Sequence, residues 1–298
     1  MNDVVVSVIV TTYKREPQMV KRAVDSILNQ SYKALEVIVV DDSPSDYIMR
    51  DDVRNTIESM GDRARYIQHE KNMGACAARN TGIENSHGEF VAFLDDDDEW
   101  LPTKLEKQMS KFKNPKVGLV YCSSFTCYSD GTKKAKNLVK HTDNIIIELL
   151  RENFIGSTSF AVMRKDVAIK AGMFDVHIKS AQDCDMWIRM AQISEIDYVD
   201  EPLVNYYIHE GENISGNPKN KIQGLERLNQ KYWEYISKDK KTKWIRTIKL
   251  APMYAWDGQY LKAIKRYLCA VLIQPFNIVG NIRYLKIILE YSVLRKEK

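Results

Sequence analysis

The chain opens on a β-branched apolar run, residues 4–12 (VVVSVIVTT), that turns polar at its end, the pattern of a strand buried on both faces of a parallel sheet. Pro17 suits the first turn of a following helix. Met19, Val20, Ala23, Val24, Ile27 and Leu28 then recur at helical spacing until Asn29-Gln30-Ser31 stops the pattern. A second apolar run, Leu35 to Val40, ends abruptly at Asp41-Asp42-Ser43-Pro44. The logic repeats with a helix over roughly 46–60 and a short strand from Arg65 to His69. Gly74 next frees the backbone before an Ala-rich helix start, and the strand Phe90–Leu94 runs into Asp95-Asp96-Asp97-Asp98. Alternating strands and helices predict an α/β protein with a Rossmann-like, mostly parallel sheet flanked by helices. Its successive strands deliver polar or acidic residues to one rim, where open sheets of this kind bind ligands.

Past Trp100 the pattern loosens. Pro102 opens a helix to about Lys113, Gly118–Tyr128 is strand-like, and Asp130-Gly131 marks a turn. A helix at roughly 144–152, a strand at Phe160–Met163 and a helix near Lys165–Ala171 follow, then a helical pattern over Asp183–Ile193 and closing strands at Ile196–Val199 and Leu203–Ile208. From Lys219 onward everything reads as helical. A chain of 298 residues accommodates one large domain and a smaller appendage, here 1–218 and 219–298.

Charge sharpens that division. Residues 219–298 hold 18 Lys/Arg against 6 Asp/Glu, whereas the remainder carries 26 against 34, so a basic helical region is attached to an acidic body. Such a region suits an anionic partner, and Tyr260–Leu268 resembles a basic amphipathic helix that lies on anionic lipid; packing between helices is the alternative. The uncharged stretch Tyr267–Ile282 spans 16 residues and is interrupted by Pro275, short of the roughly 20 that cross a bilayer. The N-terminus has no basic segment or cleavage site, and the five cysteines form no CxxC pair. The expectation is a cytoplasmic protein with reduced, mostly buried thiols, in peripheral contact with the inner face of the membrane through its C-terminal helices. No nucleic-acid partner is expected.

Four consecutive carboxylates at a strand end repel one another and persist where a cation or many donors offset them. Strand alternation would turn Asp95 and Asp97 to one side, spaced for a hard divalent cation and a sugar hydroxyl. Alternatively the run caps a helix beginning at Trp100, a role expected for Asp98.

The ordered segments VSVIVTTYKR (6–15), VVDDS (39–43), NMGACAARNTG (72–82), FLDDDDEW (93–100) and QDCDMWIR (182–189) resemble the family 2 inverting glycosyltransferases of the GT-A fold, of the type that builds bacterial polysaccharides and cell-surface glycans. The resemblance spans roughly residues 4–210. It implies a nucleotide-sugar donor, most simply a UDP-sugar, and a glycan or lipid-linked acceptor. Thr12 and Tyr13 would line the nucleotide pocket, Asp41 would accept a hydrogen bond from the base, and Arg79 would fork onto phosphate or base oxygens. Asp95 would contact the ribose and Asp97 would bind Mn²⁺ or Mg²⁺, with Asp96, in the variable middle position, counted among the residues that bind the nucleotide sugar. Asp183 would be the general base, although Gln182 stands where the family commonly has glutamate; Asp185 is a second candidate. His209 would complete the metal shell or touch phosphate, although a lone histidine more often does neither, and Trp100 and Trp187 would either shape the acceptor side or, as large aromatics more often do, belong to the core. The helix after Asp41 would be capped by Asp42 or Ser43.

Two other readings compete. A sugar nucleotidyltransferase would carry a Gly-rich phosphate loop after the first strand, and Thr11-Thr12-Tyr13-Lys14-Arg15 has no glycine. An inactive GT-A scaffold supporting a partner enzyme would be expected to have lost Asp97 or Asp183, and both are present.

Overall fold

A computed structural model describes residues 6–138, 144–208 and 217–294. The chain divides into two compact units. One comprises Met1–Lys140, Phe154–Val176 and Met186–Glu210, the other His141–Asn153, His177–Asp185 and Gly211–Lys298.

The first unit is organised by a single nine-stranded sheet. Its strands β1 (Val6–Thr12), β2 (Leu35–Asp41), β3 (Ala64–Gln68) and β4 (Phe90–Asp95) lie in the order β3-β2-β1-β4, all parallel as expected. Val4 and Val5 of the anticipated first strand lie outside the described residues. All of β2 is buried, and β1 and β2 together bury nine valines, isoleucines and leucines, each contributing about 1.5–3 kcal/mol. Helices α1 (Pro17–Leu28), α2 (Arg50–Glu58) and α3 (Ala75–Glu84) are the crossovers. Along α1 the apolar stripe Val20, Ala23, Val24 and Ile27 is buried, as its periodicity requires. Helix α3 comes so close to β1 that a Cβ on Gly82 would stand 2.3 Å from Ile9 Cγ2.

Beyond β4 the sheet is mixed. The elements here are β5 (Glu99–Trp100), α4 (Lys104–Met109), β6 (Val117–Cys127), β7 (Lys133–Ala135), α5 (Ile145–Arg151, in the second unit), β8 (Ala161–Arg164), α6 (Lys165–Lys170), α7 (Gln182–Ala191) and β9 (Glu195–Tyr207). β8 runs antiparallel to both β4 and β6, while β9 runs parallel to β6 and antiparallel to β5. The two expected closing strands are thus one strand. It bulges where Cys122 pairs with Val199 but Ser123 with Pro202, because proline has no N–H for the ladder. No helix begins at Trp100: Glu99 and Trp100 pair with β9, and α4 starts at Lys104 and ends in a 3-10 turn, Ser110–Lys113.

The second unit is helical: α5, the first turn of α7, α8 (Pro218–Lys231), α9 (Trp233–Lys238), α10 (Lys240–Ile248), α11 (Leu250–Trp256), α12 (Tyr260–Ile273) and α13 (Ile278–Leu294). Its interior gathers Ile222, Leu250, Ala251, Tyr254, Ala263 and Ile288, beside a smaller cluster of Trp244, Ile248 and Ala270. Side chains cap two of its helices: Asn217 accepts from the amide of Lys219 at 2.9 Å, and Asp239 from that of Thr242 at 2.6 Å. The uncharged stretch breaks between Ile273 and Ile278, and among the described residues no helix is long and apolar enough to cross a membrane. Cys76, Cys122, Cys127 and Cys184 are buried and Cys269 is exposed, none in a disulfide.

Gly82→Ala should lower stability by about 1–3 kcal/mol in urea unfolding, since the added methyl meets Ile9 in a packed interior. The cap of α10 sets a pH dependence. Burial would lift Asp239, but hydrogen bonds from Thr242 and Arg151 outweigh it and bring the carboxyl down to about 2. A depressed carboxyl stabilises the fold above its ordinary pKa near 4, and that contribution fades as pH falls toward 2. Asp239→Ala should therefore cost about 1 kcal/mol at neutral pH, with a difference from the unaltered chain that closes on acid titration.

Candidate active site

Parallel pairing sets the height of the strand ends. Thr12 is in register with Asp41, and Thr11 with Asp95, so β1, β2 and β4 finish at one level. Successive strands leave β1 in opposite directions, β2 to one side and β4 to the other, and this switch point opens the crevice in which α/β sheets bind ligands.

At the end of β2, Asp41 is buried. Its Oδ1 accepts from the amide of Ser43 at 2.8 Å and its Oδ2 from the Tyr66 hydroxyl at 2.6 Å. Burial and that bond to a carboxylate push the Tyr66 phenol well up. Two donors leave part of the carboxylate's acceptor capacity unused. Asp42 does not cap α2, whose first residue follows Met49 with no side-chain cap. It reaches instead to α3, accepting from the amides of Met73 at 2.8 Å and Gly74 at 2.7 Å and from His69 Nδ1 at 2.7 Å. Ser43 Oγ accepts from the amide of Lys14 at 2.8 Å, holding Lys14 in a left-handed conformation with φ of 51°. Beside it Thr12 is buried and Tyr13 is exposed.

The acidic run is not a continuation of the strand. β4 ends at Asp95, and Asp96-Asp97 turn the chain, closed by the Asp98 amide donating to the Asp95 carbonyl at 3.0 Å. Strand alternation is therefore not what orients Asp97; arginines are. Arg15 spans the turn, Nε to Asp96 Oδ1 and Nη2 to Asp97 Oδ2, both at 3.0 Å, and Arg22 donates to the Asp97 carbonyl at 2.7 Å. Asp95 receives Arg79 on Oδ1 and the Ser157 hydroxyl on Oδ2, each at 3.1 Å. Arg79 projects from α3 over the ring of Phe174.

The middle and last members of the run are buried. Burial lifts the Asp96 carboxyl to about 7, Asp97 adding to the rise and Arg15 opposing it. Burial and then Asp95 lift Asp98 well above the carboxylate range. Far from capping a helix, Asp98 accepts from the Ser159 hydroxyl at 2.8 Å and the Tyr207 amide at 3.2 Å, which ties the run to β9.

The remaining residues of interest fall elsewhere. Trp100 and Trp187 are buried, their indole N–H groups donating to the carbonyls of Ser159 at 2.9 Å and Gly156 at 3.2 Å, so both belong to the interior rather than to an acceptor surface. In the second unit Asp183, in the first turn of α7, accepts from Asn153 Nδ2 at 2.9 Å and from the Cys184 amide at 2.7 Å. Asp185 is fully buried, held by the Tyr232 hydroxyl at 2.8 Å and Lys231 at 2.7 Å, which gives it a structural task. His209 lies outside the described residues. Periodicity had no means of finding Arg15, Arg22, Tyr66 and the hydroxyls of Ser157 and Ser159, since single polar residues in a loop or strand carry no pattern. Among the described residues no three acidic, histidine or cysteine groups converge to hold a metal by themselves.

Residues 7–172, more than half of the chain, match the family model described as Glycosyl transferase family 2. The putative colanic acid biosynthesis glycosyl transferase WcaA of Escherichia coli (strain K12) is 29% identical over 237 residues, covering 78% of this chain and 82% of that protein. The putative teichuronic acid biosynthesis glycosyltransferase TuaG of Bacillus subtilis (strain 168) is 30% identical over 207 residues, 67% of this chain and 78% of its own. Among solved structures, S. aureus TarS 1-349 in complex with UDP-GlcNAc matches with a TM-score of 0.64 at 18% identity, over 97% of this chain and 89% of that one, a likeness of GT-A fold. Strand order, acidic rim and sequence match lead to one assignment: the chain is a glycosyltransferase and belongs to glycosyl transferase family 2.

Proposed function

We propose that this glycosyltransferase moves a sugar, with inversion, from a nucleoside diphosphate donor, a UDP-sugar, to a hydroxyl of a growing glycan or lipid-linked acceptor. The observation that carries the reading is the meeting of Asp41, Asp95 and Asp97 with Arg79 and Arg15 where β1, β2 and β4 end. The UDP-GlcNAc bound to TarS supports the donor class, and the colanic acid and teichuronic acid biosynthesis for which WcaA and TuaG are named supports the acceptor class.

Thr12 and Tyr13 line the base, and Asp41 uses its remaining acceptor capacity for an N–H of the uracil. Asp95 takes a ribose hydroxyl, Arg79 forks onto phosphate oxygens, and Asp96, through Arg15, sets the position of its neighbour Asp97. The donor set suits Mn²⁺ or Mg²⁺, a hard ion that keeps waters and takes one or two carboxylates together with substrate phosphates; Asp97, with His209, would hold it. When bound, the ion neutralises the charge gained by the departing diphosphate. Asp183 is the general base. Its carboxylate takes the acceptor hydroxyl's proton while that oxygen bonds to the anomeric carbon, and the bond from that carbon to the diphosphate oxygen breaks on the opposite face.

Asp183→Asn should reduce transfer by about 10²–10⁴-fold and leave binding of donor and Mn²⁺ near normal, whereas Asp97→Asn should weaken both. Calorimetry with UDP-sugar and single-turnover rates separate the two, and wild-type turnover in Asp183→Asn would remove the base assignment. A panel of nucleotide sugars with Mn²⁺ should raise the melting temperature only for the true donor, equivalent to about 2.7 kcal/mol at a hundredfold excess over Kd. Binding of a nucleotide sugar with no transfer or hydrolysis for any member would support an inactive scaffold instead.

A further inference from the structure

The second unit leaves an apolar surface uncovered. Ala263 and Ala270 are the buried positions of α12, and at 100° per residue the positions opposite them are Leu261, Leu268 and Leu272, with Lys265 among them. Leu261 is 86% exposed and Leu272 81%. At the turn between α12 and α13 Phe276 is 94% exposed, and Val279, which follows in α13, is 83% exposed. Leu261, Leu268 and Leu272 thus share one face of α12, and Phe276 and Val279 follow Leu272 within seven residues, a clustering of exposed apolar side chains along the chain.

We propose that this surface rests on an anionic lipid bilayer, α12 lying along the membrane plane with its leucine face and Phe276 in the interfacial region. Charge decides the occupant. From Tyr260 to Lys298 there are eight Lys/Arg and two Asp/Glu, and Lys262, Lys265, Arg283 and Lys286 are exposed among the apolar positions. Long basic side chains beside leucines bury their stems and keep their charges at the headgroups. A second copy of the chain would bring the same basic positions face to face, which like charges oppose. A surface helix of about 21 Å, ending in a proline-containing turn, suits attachment without crossing.

Cys269 provides the reporter. It is the one exposed cysteine and stands on α12, so an environment-sensitive fluorophore attaches there in the full-length chain. Vesicles of phosphatidylglycerol and phosphatidylcholine in equal parts should shift its emission to the blue and sediment the protein. Phosphatidylcholine alone, or high salt, should weaken binding strongly. Lys262→Glu with Lys265→Glu should cost roughly five-fold or more in affinity per position. Leu272→Glu with Phe276→Glu should lose at least about tenfold, with the circular-dichroism melting curve unchanged because both side chains are exposed in the fold. Absence of vesicle binding, binding indifferent to lipid charge, or a dimer in sedimentation equilibrium that those two glutamates dissolve would each overturn the proposal.

Discussion

Like charges crowded at the ends of neighbouring strands must be matched donor by donor, and the first unit is arranged around that demand. Asp41, Asp42 and Asp95 to Asp98 stand where β2 and β4 stop, four of them buried. A buried carboxylate without partners costs several kcal/mol, more than burying one valine returns. Arg15, Arg22 and Arg79, the hydroxyls of Tyr66, Ser157 and Ser159, and the amides of Ser43, Met73, Gly74 and Tyr207 meet the demand. The donors come from both sides of the sheet, so the carboxylates set the position of the elements that carry them.

This divides the acidic residues by task. Asp42 is used up in starting α3 and Asp98 in binding β9 to the loop after β4. Asp95 and Asp97 are more open, and their partners include the guanidinium groups of Arg79 and Arg15. A guanidinium can exchange a carboxylate for a phosphate oxygen with little loss, since both offer the same paired acceptors. The arrangement keeps the rim ordered while leaving a means of admitting the anionic donor proposed above.

Legibility in the sequence followed the source of each constraint. The parallel strands and α1 were readable because burial on two faces, or on one helical stripe, writes its period directly into the residues, as in VSVIV and in Val20 to Ile27. The mixed half of the sheet was not. The bulge at Asp200-Glu201-Pro202 made one strand look like two, and the two-residue β5 is too short to have a period. Asp41 and Asp95 were located by the ends of their strands. The task of Asp42 is hidden from the sequence because its partners, Met73 and Gly74, lie about thirty positions away, a separation that only the assembled sheet closes. The task of Asp98 is hidden for the same reason, its partners Ser159 and Tyr207 being set by the fold rather than by adjacency.

The close approach of α3 to β1 reaches further than the packing of one side chain. Arg79 stands one helical turn before Gly82, so the distance at which the helix rests on the strand is also the distance from which the guanidinium extends toward Asp95. Ile9 acts as the seat of that helix, and the hydrogen atom of Gly82 as its spacer. The reach of a charged group at the rim is in this way calibrated in the apolar interior, by the thickness of a methyl group that is not there.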